Sequence, residues 1–313
     1  MTATLTILLP IFGLILTGFI ARRADVLGPT AASEINRFVA KLALPALLLH
    51  FTAHAQWADL DQPGFAATFA LTSTLLFILI LVWRHRQGSP LADASIEAIA
   101  GAYANTAYIG LPLCIMVFGT SSMAAATIAS VWVVCGLFAI AIALIEVGLQ
   151  GDAPLGKLAG KVCFALLKNP LITAPAAGAL LALGGMKIPA GADTYLEMLG
   201  STASPCALIC IGLFLANKRG TGDGWRVALP LTFGKLIVMP LMAWFVAACL
   251  FKLPPATAQA AVLLAALPTG TGPFMLAELY RREARATSQT ILLSTVGSFV
   301  TLSIILLFIH RIA

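Results

Sequence analysis

Apolar residues gather in ten stretches, near residues 4–20, 34–54, 65–83, 93–118, 122–148, 167–185, 194–216, 226–251, 257–280 and 287–309, with most charges falling between them. Each approaches or exceeds the roughly 20 residues that a helix needs to cross the hydrocarbon of a bilayer. Two stretches are interrupted from within, by Asn105-Thr-Ala-Tyr-Ile-Gly-Leu-Pro112 and by Pro268-Thr-Gly-Thr-Gly-Pro273. Pro removes a backbone donor and clashes with the preceding turn, while Gly and Asn tolerate non-helical angles, so the pattern predicts unwound backbone inside the fourth and ninth helices. Unwound backbone at membrane depth is tolerated only when it is buried in protein or lines a cavity. Interrupted helices at corresponding places in two halves of a chain point to a ligand site there.

Composition strengthens this pattern. Hydrophobic residues make up 60% of the chain and charged residues 10%, against roughly a quarter charged in soluble domains. The expected class is therefore an all-α polytopic membrane protein, with the lipid bilayer as its first partner. The first apolar stretch has no Lys or Arg before it and no A-x-A cleavage site after it, and it reads as a retained helix. Of 19 Lys and Arg, thirteen lie in the odd-numbered connections, among them Arg22, Arg84, Lys168, Arg226 and Arg282. The positive-inside rule then places those connections in the cytoplasm and both termini outside. The formal charge of +6 is a topology signal, and no nucleic-acid partner is expected. Six cysteines lie in or beside apolar stretches without metal-ligand spacing to His, and read as small buried hydrophobes.

The chain also repeats. A shift of 160 residues carries Pro10 to Pro170, Gly18 to Gly178, Pro29 to Pro189 and Pro45 to Pro205, and a shift of 161 carries Pro112 to Pro273. This divides the chain into a five-helix repeat at 1–150, a cytoplasmic connector at 151–166 and a second five-helix repeat at 167–313. The connector's lysines suggest an amphipathic helix in the membrane interface. An odd number of crossings makes the second copy enter the membrane from the opposite side, which is an inverted repeat.

At each interruption a half-helix is expected to start with Pro112 or Pro273 at its first position, where the missing donor costs nothing. The amides of Leu113, Cys114 and Ile115, and those of Phe274, Met275 and Leu276, would then lack intrahelical partners. Two such N-termini converging from opposite sides favour an anion. Gly110 and Gly272 lie in the same two segments. Asn105, Thr106, Tyr108, Thr269 and Thr271 could supply neutral hydrogen bonds around the anion; a structural alternative has Asn105 and Thr106 satisfying loosened backbone. Lys235 lies about ten residues into the eighth stretch, too deep to snorkel easily, and is expected to aid the anion or to pair internally.

Glu97 and Glu278, near the ends of the interrupted helices, are candidate coupling groups, while Glu146 invites a solvated reading. His50 and His54 resemble a metal pair only in spacing; without a third ligand they read as an interfacial feature, and no metal site is expected. The Thr-Gly-Thr-Gly run follows no strand and lacks a third Gly, which argues against a nucleotide. No nucleophile with a base, and no metal set, converges anywhere, so neither an enzyme nor a cofactor is expected. A coupling ion, H+ or Na+, is compatible with this pattern. The lack of an acidic cluster at the crossing favours proton- or potential-linked movement over a dedicated sodium site.

Leu16-Thr-Gly-Phe19, Asn36 to Leu47, Asn105 to Leu113, Asn169-Pro-Leu-Ile172, Lys235-Leu-Ile-Val-Met-Pro240, and Leu267-Pro268 through Glu278 resemble, in order and spacing, the auxin efflux carrier family. The resemblance runs nearly end to end. It implies ten helices as five-plus-five inverted repeats, similar to bile-acid symporters, with helices 1, 2, 6 and 7 as scaffold and 3–5 and 8–10 as a mobile bundle in which 4 and 9 cross. It further implies a secondary active transporter, moving a small organic anion such as malonate or malate by elevator-like alternating access. The alternatives are a sodium-coupled carrier of another organic anion, or an anion channel or intramembrane receptor. The family places such permeases in the plasma membrane, here the bacterial inner membrane, and a homodimer through the scaffold helices is an expectation. Asn105 matches the crossover Asn of helix 4, and Lys235 the basic residue of a K-L-x-x-x-P motif. Gly272 departs from the pattern, since many relatives carry Asn there.

Overall fold

Pro90 and Pro254 hold nearly the same extended backbone, with φ/ψ of −54/147° and −53/145°, and each caps the start of an interrupted helix. A computed structural model describes residues 2–54, 61–150, 160, 164, 167–168, 170–216, 224–283 and 285–312. Helix covers most of them, and no strand occurs among them beyond one isolated bridge. The 151–166 connector lies almost wholly outside the described residues.

In the first half, α1 (Thr2–Arg23) is followed by α2 (Ala31–Phe38), which runs through a π-helical turn into α3 (Leu44–His54). Then come α4 (Pro63–Arg86), α5 (Leu91–Ala102), a π-helical turn (Thr106–Gly110) continuing as α6 (Leu111–Phe118), and α7 (Met123–Val131), which passes through another π turn into α8 (Phe138–Gln150). The second half repeats the order: α9 (Pro170–Leu183), α10 (Ala190–Ser201) with α11 (Ala203–Ala216), α12 (Trp225–Phe233) with α13 (Met239–Phe245), α14 (Pro255–Ala265), α15 (Gly272–Leu279) and α16 (Arg285–Ile312). Among the described residues, five helical runs are long and apolar enough to cross a membrane: Pro63–Arg86, Thr120–Leu149, Ala190–Ala216, Trp225–Leu250 and Arg285–Ile309. Shorter apolar helices accompany them, as in a multi-pass membrane protein.

Helix α4 shows the polarity that a lipid solvent favours. On α4, Leu71, Leu75, Ile78, Leu79 and Val82 face outward, while Thr68, Thr72 and Ser73 are buried and donate to carbonyls one turn back. Local hydroxyl bonds satisfy polar groups without breaking the helix.

Packing sorts the helices into two groups. Helices α1, α2–α3, α9 and α10–α11 pack mainly on one another; α4 to α8 and α12 to α16 form the other group. In the first group, two glycine contacts are related by the shift of 160. A Cβ on Gly18 would lie 2.1 Å from the Ile209 carbonyl oxygen, and one on Gly178 would lie 2.5 Å from that of Leu49. Both residues of the first contact map onto the second by the same shift of 160. Gly212 closes on Ile15 in the same manner, at 1.9 Å. Backbone approach this close leaves room only for glycine.

The helix ends fall on two opposite faces. On one, Arg282 pairs with Asp93, Arg84 with Glu97, and Tyr280 donates to Glu146 at 3.0 Å, so the C-terminal ends of α4, α8 and α15 share a side. On the other, the ends of α3 and α6 meet the starts of α4 and α7 around a cavity of about 390 Å³.

Candidate functional site

The two interruptions touch. Ala104 and Thr269 form an antiparallel bridge, in which the Asn105 amide donates to the Pro268 carbonyl at 2.9 Å and the Gly270 amide donates to the Tyr103 carbonyl at 3.2 Å. Both segments have left the helix, and their exposed backbone groups satisfy each other. Because the bridge is antiparallel, the chain passes through the crossing in opposite directions on the two sides.

Four helix ends therefore meet here. The carbonyl-rich C-termini of α5 and α14 each receive a side-chain donor: Thr269 Oγ1 donates to Ala100 O at 2.9 Å, and Lys235 Nζ donates to Ala265 O at 2.5 Å. A cation at a helix C-terminus is favoured by the dipole as well as by the hydrogen bond. Lys235 is fully buried, and no carboxylate pairs with it among the described residues. Its partner is a helix end, which answers the question of internal pairing with a backbone oxygen rather than an acidic side chain. Ser294 of α16 accepts from the Thr269 amide at 3.0 Å and pins the same residue from the other side.

The helix restarts differ from expectation. After the first interruption it resumes at Thr106, through the π turn, with Asn105 at the cap position. Pro112 therefore sits inside a continuing helix, and the amides of Leu113, Cys114 and Ile115 are intrahelical; in the turn that starts at Thr106, the Thr106 amide donates to the Ala104 carbonyl and those of Ile109 and Gly110 to the Asn105 carbonyl, which leaves Ala107 and Tyr108. A proline needs a gap in the hydrogen-bond ladder, and the wider π turn before it provides one. The second restart, at Gly272, leaves Pro273 and Phe274 in the first turn as expected, but Met275 and Leu276 already lie beyond the unpaired amides.

Asn105, Thr106, Tyr108 and Thr269 are all buried, Thr271 is half-buried, and Gly110, Leu113, Cys114, Gly272 and Pro273 are buried around them. Pro112 is half-buried. The Asn105 side chain makes no capping bond at the helix restart. Gly110 lets the restart approach α14, since a Cβ there would lie 2.8 Å from Leu267. Phe274 packs edge-on against Phe214 of α11, with ring centroids 4.9 Å apart. Glu97 is held by Arg84 through two hydrogen bonds, of 2.6 and 3.1 Å, away from the crossing. The Glu278 side chain lies outside the described residues.

Two aromatic residues that sequence reasoning missed cover the second interruption. Tyr103 and Phe138 lie 5.3 Å apart, and a Cβ on Gly272 would meet each at 2.8 Å; one on Gly270 would meet Tyr103 at the same distance. The two rings thus fill the volume that a side chain at position 272 would need. Tyr103 adjoins the first interruption and could have been suspected, whereas nothing in the sequence links Phe138 or Ser294 to the crossing.

The family model described as "Membrane transport protein" matches residues 3–151 and 154–306. The chain belongs to this family. It is thus a transport protein and not an enzyme, and the family is the one that its motifs resemble. A Rhizobium meliloti protein named "Putative malonate transporter" is 26% identical over 303 residues, covering 95% of this chain and 93% of its own. The Escherichia coli K12 "Uncharacterized transporter YfdV" is 25% identical, covering 94% of each chain. The mouse "Lysosomal cholesterol signaling protein" is 25% identical over 75% of this chain, which spans 29% of that longer protein.

Proposed function

We propose that the protein is a ten-span secondary carrier of a small carboxylate, of the malonate or malate kind, that binds at the crossing and moves by an elevator-like exchange. The carrying observation is the antiparallel meeting of the two interrupted helices, with the N-terminal turns at Thr106 and Gly272 adjoining a buried Asn105 amide that caps nothing. Free amides and helix dipoles favour an anion, while Asn105, Thr106 and Thr271 orient it without a buried charge. Lys235 contributes positive potential from behind the α14 terminus. The two packing groups fit a scaffold of α1–α3 and α9–α11 beside a moving bundle that carries the crossing, and the five-plus-five inverted repeats, divided near 150 and 167, fit the symmetric glycine contacts. The positive-inside rule supports a cytoplasmic basic face with both termini outside, and the family resemblance supports a bacterial inner membrane. Dimerisation would use the scaffold, and coupling would use protons or sodium.

The Rhizobium relative's name supports malonate as the first substrate to test. In proteoliposomes, internal unlabelled malonate should accelerate uptake of labelled malonate, and Asn105→Ala should raise the half-saturating concentration while the protein still folds. A channel would show no such counterflow acceleration, and absence of uptake for every small carboxylate tried would sink the substrate assignment.

A further inference from the structure

Away from the crossing, His50 and His54 stand one turn apart on α3, with ring centroids 4.6 Å from each other. The fold brings Asp193, in the first turn of α10, against both of them. Its Oδ1 lies 3.0 Å from His50 Nδ1 and its Oδ2 lies 3.5 Å from His54 Nε2, and one ligand atom from each of the three residues fits within 4.8 Å of the others. We propose that His50, His54 and Asp193 form a divalent transition-metal site of the zinc class, joining the end of α3 to the start of α10 on the face opposite the basic loops.

Three further observations support a metal. His54 Nδ1 lies 2.8 Å from the His50 carbonyl, and a carbonyl only accepts, so Nδ1 carries the proton. In the neutral ring this leaves the Nε2 lone pair facing a carboxylate oxygen, and two acceptors in that position call for a cation between them. A backbone carbonyl that fixes the tautomer is also the usual outer partner of a metal-bound imidazole. Next, His50 Nδ1 and Asp193 Oδ1 are buried and face each other, yet neither has a hydrogen-bond partner. Buried polar atoms are rarely left so. Finally, two imidazoles and one carboxylate are a ligand set that zinc accepts with a fourth position open. The cavity lined by His50, His54, Phe51, Gln62, Thr120 and Ser121 offers that position to water.

This inference stands apart from the transport reading, since it uses no residue of the crossing and its test needs no substrate. The full-length protein, purified in detergent and stripped with a chelator, is titrated with Zn2+ alone by calorimetry, and with Co2+ followed by visible absorption. One equivalent of zinc, a tetrahedral Co2+ spectrum and a zinc-dependent rise in the unfolding midpoint are expected. His54→Gln and Asp193→Asn should each weaken zinc by more than the about 10–100-fold that loss of an outer partner alone produces. His85→Gln, whose ring contacts the Ser89 carbonyl on the basic face, should leave binding unchanged. Because His54 is half exposed, its variant should fold, which the metal-free unfolding midpoint checks. Failure of the wild type to bind one equivalent, or wild-type affinity in the His50→Gln/His54→Gln protein, overturns the proposal and leaves a protonated imidazole paired with Asp193.

Discussion

Replacing Lys235 by Met preserves the apolar stem and removes the donor from the end of α14. The Nζ to Ala265 O bond is short, at 2.5 Å, and entirely buried. A hydrogen bond to a charged group contributes about 1.5–3 kcal/mol, and the favourable cation at a helix C-terminus adds about 0.3–1 kcal/mol. Against this, the variant no longer buries an ammonium, which offsets part of the loss. A net destabilisation of about 2 kcal/mol is expected, because the Ala265 carbonyl has no water to replace the lost donor. Thermal unfolding of the detergent-solubilised protein should then fall by roughly 4–8 °C, on a scale of about 2–4 °C per kcal/mol. Malonate counterflow should drop further than this loss of stability explains, since α14 leads directly into Pro268 and the bridge. A midpoint within about 1 °C of the wild type, together with unchanged counterflow, would refute the idea that Lys235 holds the crossing in place.

Three other substitutions probe separate parts of the argument. Thr269→Val removes the bond to Ala100 O at nearly constant volume and should cost about 1 kcal/mol, read as a lowered unfolding midpoint with weakened malonate binding. Gly212→Ala places a methyl 1.9 Å from the Ile15 carbonyl oxygen and should destabilise by about 1–3 kcal/mol as α1 and α11 part; Gly13→Ala, with nothing within 4 Å, should be neutral in the same melt. Gly272→Asn collides with Tyr103 and Phe138 and should impair transport, whereas Gly272→Asn with Phe138→Ala should recover part of it; equal activity in both proteins would remove the aromatic pair from the argument.

The arrangement of the helices was readable from residue order because each signal is local. Apolar runs, prolines at Pro63, Pro90 and Pro254, and glycines near the interruptions act on their own backbone within a turn or two. Gly18 and Gly178, 160 residues apart, make equivalent contacts. Arg37 pairs with Glu34 at 3.2 Å, as their spacing suggests. The restart before Pro112 was less legible, since a π turn depends on how Gly110 packs against Leu264 and Leu267. Buried cysteines were read correctly for Cys114 and Cys210, while Cys249 is exposed.

Sequence alone thus determined that the chain is a helical membrane protein and where two of its helices break. Those properties follow from the solvation of side chains and backbone one segment at a time. Only the tertiary structure decided that the breaks bond to each other through Asn105 and Gly270, that Lys235 ends α14 rather than meeting an acid, that two rings stand over Gly272, and that Asp193 completes a cluster with His50 and His54. Each of these joins residues from different helices, and their distances are set by packing across the fold, which no local pattern encodes.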